Sequence, residues 1–232
     1  MGRKRAFPWR WRFAALVLLL AASGGMYLWW QAQHWMPLRE DFPTQGVLVG
    51  GHDGPVDFRA MAATGVDFVY LEASSGESGR DALLGSNLRA VQDSGLPFGV
   101  LHAYDPCIPA ERQAANFVTI VPRDASMLPP AIVLEKLAVD CADPVSEAAV
   151  ESELTTFLNQ IEGHTGQSAI LKLGDAFQQR YGIANRIERN LWLEQAYFQP
   201  GYAGRPWRLW TANPRLSNEV TDSPVRWVVV QP

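Results

Sequence analysis

The sequence contains few of the residues that metal and redox sites require. There are 2 cysteines and 4 histidines among 232 residues, and their spacing matches no zinc-ligand motif. Neither a metal nor another cofactor is therefore expected. The two cysteines, Cys107 and Cys141, are candidates for one disulfide if the chain reaches an oxidising compartment; two free, partly buried thiols are the alternative.

Positive charge is scarce outside the N-terminus. Of the 20 Lys and Arg residues, 5 lie within the first 12 positions, which leaves 15 against 24 Asp and Glu in the rest of the chain. A nucleic acid or another polyanion is therefore not an expected partner.

One long hydrophobic run follows the basic N-terminal residues. It covers the 18 residues from 13 to 30, close to the lower limit for crossing about 30 Å of hydrocarbon. We predict a basic cytoplasmic tail over residues 1–12, a transmembrane signal anchor over 13–30 and a linker over 31–43. The alternative is a signal peptide cleaved near residues 21–23, which would make the protein a secreted one. In both cases residues 44–232 are exported to the periplasm or the cell exterior.

Residues 44–232 alternate between strand and helix patterns and are long enough for one core. Eight apolar runs, separated early in the chain by amphipathic helical patterns, predict an α/β fold of the irregular TIM-like (β/α) barrel type. The last three strands leave little room for helices between them. The eight runs cover residues 46–49, 66–71, 98–102, 131–135, 169–173, 190–193, 208–211 and 225–230.

Five segments of this region follow one another in the order of a known family. They are G-V-L-V-G-G-H-D-G at 46–54, G-V-D-F-V-Y-L-E-A-S-S-G at 65–76, L-P-P-A-I-V-L-E at 128–135, L-W-L at 191–193 and W-R-L-W at 207–210. The pattern resembles the family 25 glycoside hydrolases, which are lysozymes that cleave the glycan of peptidoglycan. The resemblance implies a barrel whose site lies at the C-terminal ends of its strands, with peptidoglycan or a related glycan as partner.

The catalytic acids of that family are mostly replaced in this chain. The family's acids fall at Leu48, at Val133 and near Gln195, and only Glu135 keeps an acid in register. Glycoside hydrolysis usually needs one protonated carboxyl group and a second group that attacks, activates water or stabilises positive charge. Leu48 and Val133 supply neither.

Glu135 has two interpretations. By resemblance it is the general acid, placed at a strand end where barrel enzymes gather catalytic groups. The alternative is a structural ion pair with Lys136 or with Lys172, which lies in the next predicted strand.

Glu72 occupies the place where the family usually has lysine, on a strand end that should approach the same site. It is a candidate for a relocated second carboxylate, helped by Asp53 or Asp105, if its carboxyl group lies about 5 to 9.5 Å from that of Glu135. The alternative is an ordinary solvated acid.

Further residues are candidates for substrate binding. His52, Asp53 and His102 would orient a sugar, and Tyr104 and Trp192 would stack on one. The alternatives are hydrogen-bonded barrel histidines and aromatic side chains that fill the core.

Three functions remain open at this point. The first is a membrane-anchored, lysozyme-like glycosidase that uses Glu135 with displaced helpers. The second is a catalytically inactive relative, a pseudoenzyme, which binds glycan or serves as an envelope scaffold. The third is a barrel that acts on another glycan.

Overall fold

The computed structural model describes residues 9–232, and the chain divides after Trp35 into two compact units. The predicted basic tail lies partly outside the described residues, which exclude Arg3, Lys4 and Arg5. In the first unit, helix α1 (Trp9–Gln33) has 25 residues and none of them is buried. By length and composition α1 qualifies as a membrane-spanning helix, a criterion that a signal sequence also satisfies.

The second unit, Met36–Pro232, is a closed barrel of eight strands with helices around it. This confirms the TIM-like barrel predicted from the sequence. A ninth strand, β3, extends the sheet as a short hairpin with β2. The strands are β1 (Gln45–Val49), β2 (Phe68–Ser75), β3 (Gly79–Arg80), β4 (Phe98–Ala103), β5 (Ala131–Leu134), β6 (Ile170–Leu173), β7 (Asn190–Glu194), β8 (Leu209–Leu216) and β9 (Val225–Val230).

Seven of the barrel strands run parallel, in the order β1, β2, β4, β5, β6, β7 and β8. Strand β9 closes the barrel by pairing antiparallel with both β8 and β1. We call the end of the barrel where the parallel strands finish the mouth. Because β9 runs the opposite way, its first residues lie at the mouth, and Arg226 is in register with Leu48 near the end of β1.

The barrel interior is filled by apolar side chains that alternate along the strands, as expected for period-2 burial. Its largest buried members include Trp192 and Tyr70, whose ring centroids lie 5.0 Å apart. Their polar atoms are satisfied: Trp192 Nε1 donates to Thr211 Oγ1 at 2.8 Å, and the Tyr70 hydroxyl donates to the carbonyl of Pro129 at 3.0 Å. The interior is therefore a packed core that leaves room for ligands only at its ends.

Helices cover the outside of the sheet. Ser146 begins the longest of them by accepting a hydrogen bond from Ala149 N, and Gly166, with φ of 74°, ends it in the left-handed region. The helices of this unit are α2 (Phe58–Ala63), α3 (Leu84–Ser94), α4 (Ala110–Ile120), α5 (Glu147–Thr165) and α6 (Asp175–Tyr181).

Candidate functional site

Two adjoining cavities open at the mouth of the barrel. The mouth cavity has a volume of about 370 Å³ and is lined by residues from seven strands, including Leu48, Glu72, Lys172 and Arg226. The side cavity, of about 430 Å³, extends from it toward the loop after β4 and includes Tyr104. The two share a wall formed by Ser75, Ala103, Val133 and Glu135. Glu72 and Glu135 thus line the same cavity.

On one side of the mouth, a buried lysine joins two carboxylates; we call this group the Lys172 flank. Lys172 Nζ lies 2.9 Å from Glu135 Oε1 and 2.8 Å from Glu194 Oε2. The lysine side chain is 7% exposed, whereas that of Glu135 is 58% exposed. Burial lowers the pKa of Lys172, but the charges of Glu194 and Glu135 and its hydrogen bonds to both outweigh burial and raise that pKa above its usual value. Lys172 is therefore a permanent cation.

On the other side, an arginine joins two carboxylates; we call this group the Arg226 flank. Arg226 bonds to Glu72 Oε1 through Nη1, and its Nη2 lies 3.1 Å from Asp53 Oδ2. Asp53 Oδ2 also accepts a hydrogen bond of 2.7 Å from Gly50 N, and Asp53 Oδ1 lies 3.2 Å from His52 Nε2. The side chain of Asp53 is 4% exposed, so this acid is held inside the structure by its partners.

Glycine at position 50 makes the Arg226 flank compact. A Cβ atom built there would overlap the carboxylate of Glu72. The absent side chain lets the Glu72 carboxylate lie against the backbone after β1, where His52 Nδ1 is 3.6 Å from Glu72 Oε2. Any larger residue at this position would displace Glu72 from the site.

Apolar side chains stand at two positions where the sequence resemblance places family acids. Leu48 is fully buried within the barrel core, and Val133, which is partly exposed, lines both cavities. The carbonyl of Gln195 accepts a hydrogen bond of 2.8 Å from Trp210 Nε1. Glu72, Glu135 and Glu194 are each paired with Lys172 or Arg226, whereas Asp81, which also lines the mouth cavity, accepts hydrogen bonds from the backbone N–H groups of Gly51 and Leu83.

His102 faces the helices on the outside of the barrel. It is fully buried, and its ring lies 4.9 Å from that of Phe157 and 6.1 Å from that of Phe117. Its Nδ1 lies 2.8 Å from Ser74 Oγ, which reaches the mouth cavity. Burial lowers the pKa of His102 to about 4, although the hydrogen bond to Gln113 acts in the opposite direction. His102 is therefore neutral at pH 7.

The aromatic candidates are also buried. Trp192 lies inside the barrel, with no exposed surface. Tyr104 lines the side cavity, and its buried hydroxyl has no hydrogen-bond partner among the described residues. Burial, together with the charges of Glu153 and Asp105, raises the pKa of the Tyr104 phenol above its usual value. Of these two aromatic residues, Tyr104 is therefore the one that borders a cavity in which a sugar would fit.

A disulfide lies beside the side cavity. Cys107 and Cys141 are bonded, with their Cα atoms 5.3 Å apart, and they join the loop after β4 to the segment after β5. Asp105 stands in the same loop, and its Oδ2 lies 2.6 Å from Lys136 Nζ. The rim of this cavity is therefore connected both covalently and by an ion pair.

Arg226 and Glu194 belong to the site although neither was predicted from the sequence. Arg226 is the only charged residue in the otherwise apolar strand β9, and such an isolated charge is a usable signal for a functional or ion-paired position. Glu194 ends β7, at the same edge of the sheet as the other acids. Among residues 9–232, no group of three or more His, Cys, Asp and Glu side chains is placed to hold a metal ion.

A family model and several solved structures are similar to this chain. The model for "Glycosyl hydrolases family 25" matches residues 49–213. A family 25 glycosyl hydrolase from Bacillus anthracis superposes with a TM-score of 0.77 at 23% identity, over 86% of this chain and 93% of its own. A bacterial lysozyme from Streptomyces coelicolor gives 0.71 at 16% identity, over 82% and 92%. At these identities the structural matches show the shared fold.

A curated relative is similar in sequence. "Uncharacterized protein YegX" of Escherichia coli K12 is 24% identical over 162 residues. The match covers 69% of this chain and 57% of YegX, so the aligned region spans less than two thirds of that relative.

Proposed function

The chain belongs to glycosyl hydrolases family 25, and we propose that it binds the glycan strands of peptidoglycan at the barrel mouth without cleaving them. The observation that carries this proposal is the ion pairing of the mouth: Lys172 and Arg226 each hold two carboxylates. A binding site needs polar groups in a fixed arrangement. A glycosidase needs, in addition, a carboxyl group that carries a proton.

The chemistry of Glu135 supports binding over cleavage. A general acid gives its proton to the leaving oxygen and so must be protonated when the substrate arrives. Glu135 Oε1 instead accepts a hydrogen bond of 2.9 Å from the buried ammonium of Lys172, so a cation already engages the carboxyl group that would have to protonate the leaving oxygen. The second family acid of the same segment is replaced by Val133, which has no group to attack the sugar or activate water.

The shape of the mouth supports a polymeric ligand. The two cavities adjoin along one shared wall that includes Glu135, and we call the two together the groove; both are lined by polar and apolar side chains. Tyr104 lines the side cavity and Glu72 lines the mouth cavity. Carbohydrate sites typically combine a few well-placed hydrogen-bonding groups with an aromatic or apolar wall.

We also propose that α1 anchors the chain in a membrane, with the barrel exported to the wall side. The helix has 25 residues, enough to span roughly 37 Å at 1.5 Å per residue. Arg10 and Arg12 lie at its beginning, as expected for a cytoplasmic end. Secretion after cleavage of the helix is the alternative, and the size of the mature protein in membrane and soluble fractions distinguishes the two.

One observation favours a second function, hydrolysis by a relocated acid pair. Glu72 and Glu135 line the same cavity, and the two-carboxylate mechanism requires acids on either side of one sugar linkage. In that case Glu135→Gln abolishes cleavage, whereas under the binding proposal there is no cleavage to lose.

The test uses the full chain, purified in mild detergent, with insoluble peptidoglycan. We expect the protein to sediment with the peptidoglycan and to release no reducing ends, while an active family 25 lysozyme digests the same material. Release of reducing ends that is lost in Glu135→Gln would establish the second function. Absence of sedimentation would overturn the binding proposal.

A matched pair of variants locates the binding surface. Ala103 is exposed on the wall shared by both cavities, so Ala103→Trp fills the groove. Ala115 is exposed on α4, so Ala115→Trp adds the same bulk away from the cavities. We expect only Ala103→Trp to lose sedimentation with peptidoglycan.

A further inference from the structure

A third cavity adjoins the mouth behind Arg226. It has a volume of about 310 Å³, and Arg226 lines both this cavity and the mouth cavity. Its other charged residues are Arg215, His52 and Asp53. We call it the Arg215 pocket. The Arg215 pocket and the mouth cavity therefore adjoin at Arg226.

The charges of the Arg215 pocket are unequally neutralised. Both oxygens of Asp53 are already engaged, Oδ2 by Gly50 N and Arg226 and Oδ1 by His52. The guanidinium of Arg226 is engaged by Glu72 and Asp53, although its buried Nε has no acceptor among the described residues. Arg215 is exposed, and its side chain makes no ion pair within the described part of the chain. Arg215 thus places a positive charge at the wall of the pocket that no described carboxylate neutralises; we call it the spare charge.

The spare charge identifies the ligand class. An arginine that lines a pocket and has no carboxylate partner is suited to bind a carboxylate or phosphate of a ligand. Its planar guanidinium group can donate two parallel hydrogen bonds to such a group. The glycan backbone of peptidoglycan is uncharged, but its N-acetylmuramic acid units carry peptide stems with free carboxylates. A strand in the mouth would direct a stem out of the groove beside one of its sugars.

We propose that the Arg215 pocket binds a carboxylate of the peptide stem. The proposal rests on the function proposed above and adds selectivity to it. The mouth holds the glycan strand, Arg215 pairs with a stem carboxylate, and Arg226 adds positive potential to both compartments. The chain then distinguishes peptidoglycan from neutral polymers such as chitin, which present similar N-acetylated sugars and no stem.

The test measures binding of three soluble probes to the full chain in detergent by calorimetry. The first is a disaccharide-tetrapeptide muropeptide, the second is the same muropeptide with its carboxylates amidated, and the third is an N-acetylglucosamine tetramer. The variant is Arg215→Gln. Its control is Arg89→Gln, which removes the same charge from an exposed position on α3, away from all three cavities.

We expect Arg215→Gln to weaken binding of the free muropeptide about fivefold, the size of effect typical of one partly exposed charged hydrogen bond. The amidated muropeptide and the tetramer should bind the variant and the native protein equally. Arg89→Gln should change none of the three affinities. A thermal melt of Arg215→Gln that matches the native protein shows that the change is local.

Two results overturn the proposal, and they are distinguishable. If Arg215→Gln and Arg89→Gln bind the free muropeptide equally well, the pocket does not hold the stem, while binding at the mouth stands. If the native protein binds none of the three probes and does not sediment with peptidoglycan, the glycan-binding function itself fails and the subsite fails with it.

Discussion

The Lys172 flank and the Arg226 flank differ in which member of the ion pairs is buried, the cation or a carboxylate. Each holds two carboxylates on one cation. In the Lys172 flank the cation is buried and its acids reach solvent, with Glu135 58% exposed. In the Arg226 flank an acid is buried, because the Asp53 side chain is 4% exposed, and the cation covers it.

This difference assigns different tasks to the two sides of the mouth. Exposed acids fixed by a buried lysine present ordered acceptors to a ligand, so the Lys172 flank is the side suited to contact a glycan. A buried aspartate needs its partner for the fold to form, since an uncompensated charge in the interior costs several kcal/mol. The Arg226 flank is therefore in the first place a structural clamp.

The largest expected effect concerns the disulfide, which stands only on the side of the mouth where Glu135 lies. The bond closes a loop of sequence separation 34, and the chain-entropy model assigns such a loop about 4 kcal/mol. We expect Cys107→Ser combined with Cys141→Ser to lower the free energy of unfolding by this amount. Urea unfolding followed by circular dichroism measures it, and reductant should bring the native protein to the same midpoint. If the variant and the oxidised native protein unfolded at the same urea concentration, the disulfide would not stabilise its side of the mouth.

The next effect concerns His102, which lies outside the two flanks, against the helices, and contacts Ser74 of β2. The pKa of His102 is about 4 in the folded state, against 6.5 for an ordinary histidine. The unfolded chain therefore binds a proton between these values that the folded chain does not bind. Its contribution to stability is intact above pH 6.5 and is lost as the pH falls toward 4, by about 3 kcal/mol in total.

The matched variant for this pH effect is His102→Gln, which keeps hydrogen-bonding groups and does not titrate. Urea unfolding at pH 7, 5.5 and 4 should show a shallower loss of stability in the variant than in the native protein. Parallel curves for the two proteins would show that His102 does not cause the loss.

A third test addresses the clamp directly. We expect Arg226→Met to lower the free energy of unfolding by about 2 to 3 kcal/mol, because it leaves Asp53 buried with only Gly50 N and His52 as partners. Adding Asp53→Asn to this variant removes the buried charge that lacks its cation, and should restore much of the lost free energy of unfolding. If the two substitutions changed the free energy of unfolding additively, Arg226 and Asp53 would not stabilise each other and the clamp would be contradicted.

The smallest expected effect is at the Lys172 flank. Lys172→Met should cost about 1 to 2 kcal/mol, less than Arg226→Met, because Glu135 and Glu194 remain partly solvated without their partner. The same variant should reduce sedimentation with peptidoglycan, since the two acids lose their fixed positions. If Lys172→Met proved more destabilising than Arg226→Met, the division between a binding flank and a clamp would be reversed.

The strands of the barrel were readable from the sequence because each is an apolar run between turn residues. All eight barrel strands overlap a predicted run, including Ala131–Leu134 and Val225–Val230. The direction of β9 was not readable, because pairing direction depends on the path of the preceding loop and no residue pattern records it. Helix α6 was also missed, since its 7 residues are too few to establish a helical period.

The candidate site was predictable only in part, for a related reason. Glu72 and Glu135 were located because each ends a strand in a motif, and strand ends converge at the mouth. Their partners were harder to assign, since Glu72 pairs with a residue 154 positions away. Side-chain pairing across a closed sheet is decided by register and by the antiparallel strand, which local patterns do not contain.

The burial of Leu48 distinguishes the two positions, 48 and 133, at which the sequence resemblance places family acids. Val133 is partly exposed, so a single substitution to aspartate there would meet water and Lys172 nearby in the register of β6. Leu48 has no exposed surface and packs in the core cluster with Tyr70 and Trp192, so an aspartate there would face apolar neighbours as well as the mouth cavity that Leu48 lines. An aspartate at position 133 would therefore fit the present structure, whereas one at position 48 would require the core around Tyr70 and Trp192 to repack.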